Sequence, residues 1–271
     1  MSAQAPDKLQ ILVCTVADRL GAIDTAGMPE LPGVSYIVSC QCPDGKRPDA
    51  AGTLSRRGDI SVHCFADRGL SRNRNHSLEF ATAPYILISD DDISYRAEGL
   101  QAIIDTFDAD PALDIVTTRS VIPEHHVYPP DGHPLDRPYR FYSPISFEIA
   151  LRRRSWQRSG IRFSELAGIG APRLTAGEEQ IFVHRLLRAG LRGRYIDTVV
   201  SHHRGNTTCV RSASTPGVIR AKGAVMRIER GAAAAAIRLP LEAWRSPLAF
   251  PKALLYLCQG FAYSIRHRKE L

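Results

Sequence analysis

The sequence predicts an α/β fold: a mostly parallel sheet flanked by helices, followed by a helical C-terminal extension. Three observations lead there. Short continuous apolar runs recur at 11–15, 34–40, 60–64, 85–89 and 115–118, the pattern of strands buried on both faces. Stretches with helical spacing alternate with them. One is 71–80, behind Ser71 as an N-cap, and another is 97–107, with Leu100, Ile103, Ile104 and Phe107 on one side. Beyond residue 205 the pattern becomes helical, with a strong helix former at 232–236 and a stop expected at Pro240.

The length of 271 residues accommodates one large domain, or a domain with an appendage. A hydrophobic content of 44% with 23% charged residues excludes a disordered chain. A boundary near 205 divides a body, 1–205, from a tail, 206–271. The tail carries the charge: +9 from Arg204 onward against −2 before it, for a net +7. Coulombic attraction draws such a tail to anionic lipid or to nucleic acid, and the charge alone does not choose. Residues 1–8 are polar and the apolar run at 11–13 is too short for a signal peptide, which predicts a cytoplasmic chain. Cys14, Cys40, Cys42, Cys64, Cys209 and Cys258 contain no CxxC pair, so they read as buried or idle thiols.

In the second half, 145–151 and 193–200 read as strands and 178–189 as a helix with Ile181, Phe182, Leu186 and Ala189 on one side. Between them 122–143 is rich in proline and glycine, has no period and reads as a mobile or acceptor-facing loop. Near the end, Leu254, Leu257, Cys258, Phe261 and Ile265 share a helical face ahead of Arg266-His267-Arg268-Lys269. Thirteen residues are too few to cross a bilayer. The face suits either an anionic membrane surface, with the chain peripheral on the inner face of the cell membrane, or packing against the body.

Chemistry concentrates at the ends of the predicted strands, where a parallel sheet collects its ligands. The run Tyr85-Ile86-Leu87-Ile88-Ser89 leads into Asp90-Asp91-Asp92. Three adjacent carboxylates repel one another, and hard oxygen donors favour Mg2+ or Mn2+; a solvated acidic turn is the plainer alternative. Upstream, Gly69-Leu70-Ser71-Arg72-Asn73-Arg74-Asn75 is a loop leading into a helix, whose N–H groups and guanidiniums suit phosphate.

These stretches together resemble the family 2 glycosyltransferases, of GT-A (Rossmann-like) fold, over about residues 9–230. The resemblance implies a metal-dependent enzyme. It would move a sugar from a nucleotide diphosphate sugar, UDP-linked in the favoured case, to a hydroxyl of a surface glycan or lipid-linked precursor, with inversion. The nucleotide-sugar half would be about 1–120 and the acceptor half about 121–205. Leu12 to Arg19 resembles the opening strand and base-binding loop, which implies nucleotide contacts from Thr15, Asp18 and Arg19. Residues 69–75 resemble the "SxARN" helix, implying roles for Arg72, Arg74 and Asn75. Residues 84–92 resemble the DxD strand. Ser89 stands at the usual first Asp, so Asp91 is the first metal ligand, Asp90 lies nearer the ribose and Asp92 supports. Gln41 occupies the place of an acidic uracil contact in many relatives.

Further on, 163–170 resembles the acceptor-side loop, and Gly177-Glu178-Glu179 resembles the "GED" or "GEE" helix start. That motif implies Glu179 as catalytic base with Glu178 behind it; read without the resemblance, the pair is helix N-terminal charge. In Val200-Ser201-His202-His203, the motif points to His202 as a metal or diphosphate ligand. Two other classes compete. A sugar-phosphate nucleotidyltransferase needs a glycine-rich loop after the first strand, and Cys14-Thr15-Val16-Ala17 has none. A nucleic-acid-binding protein could use Arg152-Arg153-Arg154 and the tail, but interleaved aromatics are few.

Overall fold

The computed structural model describes residues 6–124, 126–139, 142–203, 205 and 212–271; Arg204 and Cys209 lie outside the described residues. It contains eight strands: β1 (Leu9–Val16), β2 (Val34–Gln41), β3 (Ile60–Phe65), β4 (Tyr85–Asp90), β5 (Ile93–Tyr95), β6 (Ile115–Val121), β7 (Ile149–Arg152) and β8 (Gly193–His203). They form one sheet in the order β3-β2-β1-β4-β7-β6-β8-β5. The first four are mutually parallel, as are β6 and β8, while β7 runs against β4 and β6 and β5 against β8. The helices are α1 (Ala17–Leu20), α2 (Asp49–Leu54), α3 (Leu70–Phe80), α4 (Ala97–Ala109), α5 (Arg153–Ser159), α6 (Glu178–Arg188), α7 (Pro216–Arg230), α8 (Ala232–Arg245) and α9 (Phe250–Arg266).

The chain folds as two compact units. The first comprises Met1–Arg68, Asn73–Ile161 and Leu186–Gly205, and holds the whole sheet. Its strands β1 and β4 are buried along nearly their full length, as their unbroken apolar runs require of a sheet covered on both sides. On one side Leu9, Ile11 and Val13 of β1 join Val38 of β2, Leu87 of β4 and the α4 residues Leu100, Ile103, Ile104 and Phe107 in a single core. Arg152 spends its guanidinium on the carbonyls of Phe107, Asp110 and Leu113, and Arg153 on that of Ala83. Two cations of the arginine triplet therefore serve the fold, which weakens the nucleic-acid alternative.

The second unit comprises Gly69–Arg72, Arg162–Arg185 and Asn206–Leu271. It joins 162–185 to the tail. Here α7 and α9 meet backbone to backbone. A Cβ on Gly223 would lie 2.1 Å from the Leu257 carbonyl oxygen, and one on Gly260 1.8 Å from that of Arg220. Arg227 binds the Ser264 hydroxyl and carbonyl across the same crossing.

Two expectations change, and a third is resolved residue by residue. The 145–151 strand is a 3-10 turn over Ser146–Glu148 and then β7, because Glu148 turns back to accept from the Ile145 N–H. Pro240 does not stop the helix but sits inside α8. Ala236, whose carbonyl loses its partner, is exposed to water, while Leu239 and Ala243 are buried on either side of the proline and hold the helix in place. The last apolar face is divided: Leu257 is buried and Leu254 and Phe261 partly so, while Cys258 and Ile265 are exposed. Among the described residues no helix is long and apolar enough to cross a membrane.

Gly260→Ala is expected to lower stability by roughly 1–3 kcal/mol through overpacking. Gly52→Ala in α2, where nothing lies within 4 Å of the new methyl, should gain about 0.5–1 kcal/mol from helix propensity. Urea denaturation of both variants reads the two opposite signs.

Candidate active site

The first unit gathers its polar groups where β1 and β4 end. Cys14 is the ladder partner of Asp90, so the next residues, Thr15 and Asp91, leave the core side by side. The Thr15 hydroxyl donates to Asp91 Oδ2 at 2.5 Å. One turn on, Arg19 of α1 places its guanidinium 2.5 Å from Asp91 Oδ1 and 3.1 Å from Asp92 Oδ2. Burial opposes the Arg19 charge, but Asp91, Asp92 and Asp90 outweigh it and raise its pKa. Asp91 is largely buried, and burial raises its carboxyl despite Thr15 and Arg19. A cleft of about 290 Å³ opens beside these groups, lined by Arg19, Asp24, Asp91, Asp92, Ser94 and Gly205.

Asp90 points elsewhere. Its Oδ1 accepts from buried Arg74 at 3.2 Å and its Oδ2 from the Ser146 hydroxyl at 2.7 Å. No three carboxylate or imidazole donors of this cluster lie within 4.8 Å of one another among the described residues. The repulsion that called for a metal is met here by two guanidiniums. Even so, the donors suit a hard divalent ion, which commonly takes only one or two carboxylates and completes its shell with phosphate and water. Arg19, bridging Asp91 and Asp92, already stands in as a cation at those oxygens.

The choice between the two histidines is corrected. His203 Nε2 lies 3.3 Å from Asp92 Oδ1, and its buried ring stacks on Phe147. His202 is exposed. Successive side chains of a strand face opposite ways, and β8 pairs His203 with Ile93, next to Asp92.

A second polar group closes the ends of β2 and β3. Gln41 donates to Asp67 Oδ1 at 2.9 Å, and His76, stacked on Phe65, meets Asp67 Oδ2 at 2.7 Å. Asn73 ties this side to β1, donating to the Thr15 carbonyl while accepting from the Ser39 hydroxyl. Asn75 is buried on α3, and Asp18 is exposed in the first turn of α1. Asp67, His76 and Ser146 escaped the sequence reading, and His203 was passed over for His202; Asp67 stands two residues after β3, at the strand end where a carboxylate is informative.

The second unit holds Arg72, Glu178 and Glu179. Arg72 pairs with Glu165 through Nε at 3.0 Å and Nη2 at 2.5 Å. Ser71 does not cap the helix; its hydroxyl donates to the Ala167 carbonyl, and the Leu70 N–H to that of Ile169. Glu178, buried, and Glu179, half-buried, open α6. Gly168, at φ +100°, leaves no room for a side chain: a Cβ would lie 2.9 Å from the Ser71 hydroxyl and 3.0 Å from the Glu178 carboxyl carbon.

This sheet order, with β7 reversed within a largely parallel array, is the GT-A fold. It matches the crystal structure of S. aureus TarS residues 1–349 at a TM-score of 0.61 and 16% identity, over 96% of this chain and 73% of that one. The same fragment in complex with UDP-GlcNAc gives 0.60 at 14%, with the same coverage. A longer TarS structure gives 0.60 at 15%, over 94% of this chain and 44% of that one. No curated protein sequence matches the chain. The fold thus defines a GT-A protein. Residues 56–166 match the family model "Glycosyl transferase family 2".

Ser146 reaches Asp90 from the turn that Glu148 anchors. Glu148 is fully buried and accepts from the Ser120 hydroxyl at 2.5 Å, Tyr128 at 2.6 Å and the Ile145 N–H at 3.2 Å. Burial pushes its carboxyl up to about 7, against the pull of those donors. The folded state therefore holds this proton more tightly than the unfolded chain. Its stabilising contribution is complete below pH ~4.5 and is lost as pH rises through about 7. Between pH 5 and 8, wild-type stability should fall relative to Glu148→Gln by up to ~3 kcal/mol in urea titrations.

Proposed function

We propose that the chain transfers a sugar from a nucleotide diphosphate sugar, UDP-linked, to a hydroxyl of a surface glycan or lipid-linked precursor, inverting the anomeric centre. One observation carries the reading. The ends of β1 and β4 place Thr15, Arg19, Asp91 and Asp92 around one cleft of a GT-A fold, and the TarS fragment of this fold is described in complex with UDP and with UDP-GlcNAc. Gln41, Asp67, Arg74, Asn75 and Asp90 shape the nucleoside side in this scheme. Arg19 supplies positive charge for the diphosphate.

Mn2+ or Mg2+ would be held by Asp91 and Asp92, with His203 in place of His202. When bound, it would neutralise charge on the departing diphosphate. Arg19, which holds those same carboxylate oxygens, would then be free to meet phosphate. Glu179, with Glu178 behind it, takes the proton from the acceptor hydroxyl as that oxygen bonds to the anomeric carbon and the bond from that carbon to the diphosphate oxygen breaks, the nucleoside diphosphate leaving.

Two variants separate binding from chemistry. Asp91→Ala is expected to abolish the Mn2+-dependent rise in Tm caused by UDP. Glu179→Gln should keep that rise while losing about 10²–10⁴-fold in turnover. A UDP shift unchanged by a chelator would sink the metal assignment, and full activity in Glu179→Gln would sink the base.

The basic tail supports a peripheral site on an anionic membrane, with the contact moved from α9 to α8. Ile237, Leu241 and Trp244 share one α8 face at 80%, 47% and 79% exposure, and Arg238 and Arg245 beside them are exposed. An apolar stripe with tryptophan and flanking arginines fits an anionic interface. Anionic vesicles should sediment the protein and blue-shift Trp244 fluorescence, neutral ones should do neither, and Ile237→Ser with Trp244→Ser should release it. Equal recovery in the supernatant throughout would refute the contact.

A further inference from the structure

Three of the five described cysteines converge on one side of the β2–β3 edge. Cys40 and Cys64 are in-register partners on the parallel strands. Cys42, two residues beyond Cys40, projects to the same side, and its N–H continues the ladder to the Phe65 carbonyl at 2.7 Å. The three sulfurs lie within 4.8 Å of one another, and those of Cys40 and Cys42 are 3.7 Å apart. Two thiolates on a tetrahedral ion with bonds near 2.3 Å sit about 3.8 Å from each other. The spacing already matches that edge.

We propose that Cys40, Cys42 and Cys64 form a site for a thiophilic divalent cation of the Zn2+ class, separate from the carboxylate cleft. Soft sulfur donors select such ions over the Mg2+ and Mn2+ suited to aspartates. Cys40 and Cys42 are buried, and Cys64, half-exposed on the edge strand, opens the route in. No fourth histidine, cysteine or carboxylate joins the group among the described residues. His63 alternates to the other face and stacks on Phe80. The ion's fourth position therefore falls to water or an exogenous ligand on the Cys64 side. Each sulfur gives up its proton to solvent and a lone pair to the ion. The product carries one net negative charge, and Arg47, whose positive charge bears on Cys64, offsets it.

Idle packing is the competing account, since free cysteine behaves as a small hydrophobe. Metal stoichiometry under reducing conditions separates the two. The full chain, freed of metal and titrated with Zn2+ against a chromophoric chelator, should bind one equivalent with Kd below about 1 µM. Binding should release about three protons per ion. Cd2+ should give sulfur-to-metal charge-transfer absorption in the near ultraviolet. Cys64→Ser should weaken binding at least tenfold and remove that absorption, with the metal-free Tm little changed, while Cys258→Ser, at an exposed position of α9, should match wild type. Should Cys64→Ser perturb the fold, Cys42→Ala gives the same readout. Zinc binding equal in wild type and in the cluster variants, or no thiolate absorption with Cd2+, would overturn the site. Loss of UDP-dependent stabilisation alone would not, because the thiols stand on the other face of β2 from Gln41.

Discussion

The parallel pairing of β1 with β4 is the constraint from which the site follows. With Cys14 opposite Asp90, the two chains leave the sheet together, and Thr15 can reach Asp91 without crossing any intervening backbone. A slip of one residue would turn Asp91 to the far side of the ladder and bring Thr15 against a different partner. Register is strongly specified here because both faces of these strands are buried. The hydrophobic pattern thus fixes a polar geometry that contains no hydrophobic group.

Electrostatics then sorts the three aspartates into different jobs. Adjacent carboxylates cannot share one environment at low dielectric, and the structure separates them: Asp90 to Arg74 and Ser146, Asp91 to Thr15 and Arg19, Asp92 to Arg19 and His203. Arg74 is almost wholly buried, so its pair with Asp90 is a fixed part of the floor. Arg19 is half-exposed; a surface cation of this kind is held weakly enough to be exchanged. The mobile charge stands at the cleft and the immobile one beneath it, an order suited to admitting a charged ligand.

Much of this was legible in the sequence. The strand runs at 11–15, 34–40, 60–64 and 85–89 all fall within observed strands, because continuous apolar runs leave little choice in a sheet covered on both sides. Asp91 drew notice because it follows such a run, and it lies beside Thr15 and Arg19. What escaped depended on long-range pairing. His203 rather than His202 faces Asp92 only because β8 pairs with β5 in one particular register, and no local pattern encodes that phase. The helix through Pro240 was missed for a related reason: proline's cost is local, whereas the burial of Leu239 and Ala243 that offsets it is tertiary. Glu148 reads as an ordinary acid until Ser120, Tyr128 and Ile145 close around it.

The two sides of β2 show how far a single strand divides chemistry. Ser39 and Gln41 face the polar side, where Asn73 and Asp67 receive them; Val38, Cys40 and Cys42 face the core. From sequence, Cys40 closes the apolar run 34–40, Gln41 takes the place of a uracil contact, and the absence of a CxxC pair left the thiols reading as buried or idle. A strand's period of two makes CxC the spacing that puts two sulfurs on one face, and a third arrives only when β3 pairs alongside. A search for CxxC finds ligands presented by tight turns and passes over a set presented by a sheet, where the neighbouring strand, rather than the next residue, completes it.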